Sequence, residues 1–144
     1  MLISNQHRMH GLRRDGDQSG GGVLCRHVPG GDEHYLFTAY ATEYIISHYA
    51  KGVFTRLAHR WTSSAGGGAP IGTRVSVGGE CTGSGAPGDP VTLTMTIDDA
   101  PVLSVIAPDA PLVHGSVGIF SEIFAGVETT TTRFDDISIS TPAD

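Results

Sequence analysis

Few side chains in this 144-residue chain combine the chemistry needed to hold a ligand. Arg26, His34, Tyr35, Tyr44, His48 and Trp61 mix flat rings with hydrogen-bond donors. Rings stack on the apolar face of a pyranose while Arg and His donate to its hydroxyls, so the set suits a shallow sugar-binding groove. The competing reading is structural: Tyr35, Phe37 and Trp61 as core, and Arg26 paired with an acid. Asp135 and Asp136 are candidate calcium ligands, because hard cations want several oxygens and loop carbonyls supply the rest. Against this stands a strand-entry Asp that accepts backbone N–H bonds or faces water. Calcium is the one cofactor these residues bring into question, and no other is expected.

Catalysis finds less support. Glycoside hydrolysis needs two carboxyl groups about 5 to 9.5 Å apart across the scissile bond. Glu122 and Glu128 are separated by a glycine-containing loop, and the adjacent Asp135 and Asp136 project to opposite faces of a regular strand. No catalytic residue is assigned. Of the seven histidines, only His7 and His10 are close in sequence. Their spacing fits one face of a helical turn, yet the segment has no helical pattern, and a frayed terminus is the better reading than a metal site. A Ser-His-Asp triad is recognised by geometry rather than by position, and none is singled out.

The elements that must position these groups read as strands. The length allows one domain with a single core. Twenty glycines and eight prolines cut the chain into short pieces rich in Thr, Val and Ile, which suits an all-β sandwich. A formal net charge of -6, with nine scattered basic residues, excludes a nucleic-acid partner, whose phosphates need clustered Lys and Arg. No apolar run approaches the roughly 18 residues of a membrane helix, so no membrane insertion is expected. The first ten residues are polar and lack the apolar core of a signal peptide. Two cysteines, Cys25 and Cys81, permit one disulfide, with buried free thiols as the alternative.

Residues 1–20 form a polar N-terminal segment with at most one strand, around 6–12. In Val23 to His27, Val23 and Cys25 share one face and Leu24 and Arg26 the other. His34 to Tyr40 is the next strand, with Tyr35 and Phe37 on one side. Residues 41–49 also fit a helical face, but their Tyr, Ile and Thr favour a strand turning at Lys51-Gly52 into 53–57. A strand from Arg74 runs to Cys81, where Gly78-Gly79 predicts a bulge. Thr82 to Pro90 is a loop. Val91 to Ile97 alternates strictly, with Val91, Leu93, Met95 and Ile97 inward and threonines outward. Asp98-Asp99 then turns into 102–106, and 117–120 and 131–140 are the last strands.

Taken in order, Gly-Gly-Val-Leu-Cys-Arg-His at 21–27, Tyr-Leu-Phe at 35–37, Cys-Thr-Gly at 81–83, Val-Thr-Leu-Thr-Met-Thr-Ile at 91–97, Gly-Ser-Val-Gly-Ile-Phe at 115–120 and Phe-Asp-Asp-Ile at 134–137 resemble the concanavalin A-like lectin/glucanase superfamily. The resemblance is to jelly-roll domains attached to bacterial surface proteins and to the outer end of membrane serine/threonine kinases. It covers 20–140 and implies an antiparallel two-sheet β-sandwich over 21–140, with 141–144 a tail. It also implies a disulfide between Cys25 and Cys81, an extracellular or cell-surface location, and a carbohydrate or other extracellular ligand. Relatives carry more strands before the Gly-Val-Leu-Cys-Arg stretch, which implies an N-terminally truncated piece of a larger exported protein with an uncovered sheet edge. Asp98-Asp99 stands where relatives have Asn-Gly, weakening the expected type I′ turn. The glucanases' Glu-x-Asp-x-x-Glu string is missing. The expectation is a non-catalytic carbohydrate-binding module. The alternatives are an enzyme related to 3-keto-disaccharide hydrolases and a structural or interaction domain.

Overall fold

The computed structural model describes residues 2–10, 19–62, 74–108, 110–123 and 131–140. Among them ten strands form, and no helix: β1 Leu2–His10, β2 Ser19–Val28, β3 Glu33–Tyr40, β4 Glu43–Ala50, β5 Val53–Trp61, β6 Arg74–Thr82, β7 Thr92–Ile97, β8 Ala100–Ile106, β9 Ser116–Ile123 and β10 Thr131–Ser140. They assemble into two five-stranded antiparallel sheets, A in the order β10-β1-β6-β7-β8 and B in the order β5-β4-β3-β2-β9. The all-β, two-sheet expectation holds. The strand expected over 6–12 lies earlier, at Leu2–His10, and sits inside sheet A between β6 and β10. Side chains of β1, His7 and His10 included, lie outside the described residues.

Alternation drives the packing. β7 buries Leu93, Met95 and Ile97 and leaves Thr92, Thr94 and Thr96 half-buried on its other side. These meet Val75, Val77 and Cys81 of β6, and across the sandwich Val23, Cys25, Tyr35, Phe37, Ala39, Tyr44 and Ile46 of sheet B. Removing such side chains from water is the main force joining the sheets, at about 1.5 to 3 kcal/mol for each large apolar group fully buried.

The bulge expected at Gly78-Gly79 is not there: β6 pairs in unbroken register with both β1 and β7. Gly79 instead makes room. A Cβ at this position would stand 2.4 Å from the Phe37 ring and 2.8 Å from Val23. The missing side chain lets Phe37 of the facing sheet fill the space to complete burial.

The β7–β8 hairpin shows how Asp-Asp replaces Asn-Gly. Asp98 and Asp99 both adopt positive φ, 49° and 65°, the conformation a type I′ turn demands at its two central residues. Short polar side chains tolerate it because they hydrogen-bond locally. At Asp98 the support comes from the neighbouring strand β6 instead: Oδ1 accepts from the Ser76 N–H at 2.9 Å and the Asp98 N–H donates to the Ser76 carbonyl at 2.9 Å.

Cys25 and Cys81 are joined by a disulfide, as expected, with Cα atoms 6.6 Å apart. It ties β2 of sheet B to β6 of sheet A. Beside it the chain departs from the simple alternation. Arg26 takes φ 55°, and the register of β2 shifts there against both neighbours. This bulge turns Arg26 inward instead of leaving it on the Leu24 side, and the residue is 9% exposed.

Candidate ligand-binding face

Register sorts the aromatic and basic candidates onto opposite sides of sheet B. Tyr35 pairs with His48, Phe37 with Ile46 and Ala39 with Tyr44, all on the side facing sheet A. Tyr35 and Tyr44 are buried in the core. Arg26 joins them through its bulge. Its guanidinium donates to the carbonyls of Leu112 and Gly83, each at 2.6 Å, and at 3.4 Å to that of Cys81. Desolvation lowers its pKa, opposed by Tyr35 and Asp89, and it stays a cation that satisfies these three carbonyls. The Leu112 N–H donates to the Tyr35 hydroxyl at 2.9 Å, completing this network. Burial raises the pKa values of Tyr35 and Tyr44, so both phenols stay neutral. Arg26, Tyr35 and Tyr44 are thus placed as structural side chains rather than at a surface. His48 lies at the sandwich margin, its Nε2 2.9 Å from Glu33 Oε1 and its ring 5.4 Å from that of Tyr35.

His34 and Trp61 fall on the other side, where sheet B faces away from sheet A. The neighbours they meet there were not foreseen. His34 pairs with Tyr49, and Tyr49 with Phe54, so three strands put rings in one row. The rings of His27 and His34 are 5.3 Å apart, His34 stacks on Tyr49 at 4.9 Å, and Tyr49 meets Phe54 at 4.7 Å. Phe54 is 57% exposed. Tyr49 also donates its hydroxyl to Asp32 at 3.3 Å. At the far end of β5, His59 and Trp61 meet edge-on at 5.8 Å, and Trp61 is 64% exposed.

Between these ends lies a depression of about 340 Å³ lined by Thr38, Tyr40, Ile45, Ser47, Phe54, Arg56 and Glu122. Its wall exists because of a glycine. Tyr40 lies over Gly20 of β2, whose hypothetical Cβ would stand 2.6 Å from the ring. From there the phenol reaches β9 and donates to the Glu122 carboxylate. Burial pushes the Tyr40 pKa far above the usual phenol range, and Glu122, then Glu43, push it further, so it remains a donor. Glu43 carries a buried Oε2 with no hydrogen-bonding partner among the described residues. Arg56 stands exposed on the opposite side. Cation, carboxylates, hydroxyls and an exposed ring thus share one sheet face. The period-two reading of 53–57 was the signal that could have found Phe54 and Arg56, because it places them together one pleat apart.

The arrangement of the sheets has known counterparts. A carbohydrate-binding module from Bacillus subtilis, CBM66, superposes with a TM-score of 0.63 at 14% identity, over 94% of this chain and 73% of that one. Sheep galectin-11, solved in complex with glycerol, superposes with a TM-score of 0.58 at 9% identity, over 95% of this chain and 87% of that one. The fold is a lectin-like β-sandwich. At these identities the likeness is one of fold alone. No family model matches the chain, and no curated protein matches its sequence.

Asp135 and Asp136 lie in β10 of this lectin-like sandwich, at positions whose side chains are outside the described residues. Among the described residues, no group of three or more His, Cys, Asp or Glu side chains gathers as a metal cage. Glu128 is outside them as well.

Proposed function

We propose that this domain is a non-catalytic carbohydrate-binding module of an exported protein, and that it takes its sugar on the outward face of sheet B. The observation that carries this reading is the joining of the ring row at Phe54 to a largely apolar depression edged by Arg56, Ser47 and Glu122. A pyranose seated there stacks its apolar face on Phe54 and turns its hydroxyls to Arg56, Ser47 and Glu122. The similarity of fold to a carbohydrate-binding module and a galectin supports the same assignment. The disulfide supports export, because such bonds persist in oxidising compartments.

The non-catalytic part of this reading is supported by Glu122 being engaged by the Tyr40 phenol at the edge of the depression. The test is a glycan array followed by calorimetry on the strongest hits, with Phe54→Ala and Arg56→Ala alongside. Saturable binding that both substitutions weaken is expected. A folded domain that binds no glycan, or binds equally well in both variants, overturns the assignment.

A further inference from the structure

The histidines closest in sequence, His7 and His10, are not the pair this fold brings together on the sheet B face. The β2–β3 hairpin sets His27 against His34, with the Arg26 bulge supplying the extra residue that places them opposite one another. Their Nδ1 atoms share a hydrogen bond at 3.3 Å, one ring donating to the other, and moving that proton to the donor ring's Nε2 frees both Nδ1 lone pairs. Two imidazole nitrogens bound to one tetrahedral zinc ion at about 2.0 to 2.1 Å each must stand about 3.3 to 3.4 Å apart. We propose that His27 and His34 form an open two-imidazole site for a borderline transition-metal dication of the Zn²⁺ or Ni²⁺ type.

The surroundings fit a cation. Both rings are half-buried, and the stack on Tyr49 fixes His34 in place. Asp32 lies close enough to act on the charge at His34 and offsets a bound positive charge. His48, the other basic group acting on His34, is itself bound to Glu33. Among the described residues no third His, Cys, Asp or Glu completes the shell. The remaining coordination positions are therefore left to water or to hydroxyls of a molecule lying along the ring row. Imidazole suits zinc and nickel, whereas calcium and magnesium prefer oxygen ligands.

The metal alone tests this, with no sugar present, so the outcome is independent of glycan binding. Zn²⁺ and Ni²⁺ are titrated calorimetrically at pH 7.5 into disulfide-intact protein in a His7→Ala/His10→Ala background. One-to-one binding is expected, at least tenfold weaker after His27→Gln or His34→Gln and unchanged after His59→Ala. In the unsubstituted protein, nitrogen NMR should show Zn²⁺ shifting the Nδ1 signals of His27 and His34 together, a readout that does not depend on any variant folding. Absence of one-to-one binding, equal affinity in the glutamine variants, or shifts at neither ring overturns the site.

Discussion

Sheet A turns Thr82, Thr92, Thr94 and Thr96 outward with Ser104, and Thr94 and Ser104 hydroxyls stand 3.3 Å apart. Its β6, β7 and β8 contain no aromatic residue. Sheet B turns outward His34, Tyr49, Phe54, Tyr40, Arg56 and Glu122. Both faces obey the same alternation and back onto the same core, so burial does not account for the difference. Hydroxyls hydrate easily, and on sheet A they surround an exposed aliphatic side chain, Ile106, opposite Thr92; sheet B instead sets exposed rings beside a cation and a carboxylate, polar and apolar groups that one ligand can meet together.

The largest change to this contrast comes from cutting the tie between the sheets. Replacing Cys25 and Cys81 by Ser opens a loop with a sequence separation of 56 and is expected to cost about 4 kcal/mol. Denaturant unfolding of the variant against the oxidised parent measures it, and ligand binding on sheet B falls with the fold. Next comes Phe54→Ala, expected to lower affinity for a bound glycan at least tenfold while changing unfolding free energy by about 0.5 kcal/mol, because the ring is exposed. Thr94→Ala, its counterpart on sheet A, is expected to leave glycan affinity unchanged. Equal effects of the two on calorimetric binding erase the distinction between the faces.

Tyr40→Phe removes the donor from Glu122 and is expected to destabilise by about 1 to 2 kcal/mol in urea titrations. The smallest effect is a pH slope. His34 has a folded-state pKa below its ordinary value, so the unfolded chain takes up this proton first. Its contribution to stability is full above about pH 6.5, falls as the pH drops from there to the folded-state pKa, and then levels off. Melting temperatures between pH 7.5 and 5 should show it, with a flatter profile in His34→Gln.

Much of the fold was legible because alternation is a local signal. Val91 to Ile97 named its own buried face, and the turns at Lys51-Gly52 and Asp98-Asp99 stood where breakers interrupt the pattern. Arg26 was misplaced because a bulge is a disagreement between strands, and one strand's residues do not announce it. Gly79 misled for the same reason: it answers to Phe37 in the facing sheet, and that partnership exists only once the sandwich has closed. The candidate site was half legible. Ring-bearing residues were visible, but which side of the sheet each occupies depends on register. His34 and Trp61 reached the outward face, while Tyr35, Tyr44 and Arg26 turned inward. Alternation pairs Phe54 with Arg56 on one side of their strand, but their meeting with Tyr49 and with Glu122 depends on cross-strand register.

Gly20 does not line the depression, yet it shapes it. Since even a methyl group there would press on Tyr40, position 20 acts as a depth gauge for the depression beyond. Related chains that differ only at this position would present the same lining residues at different depths. The shape of the depression is therefore set in part by a residue that no survey of its lining would include.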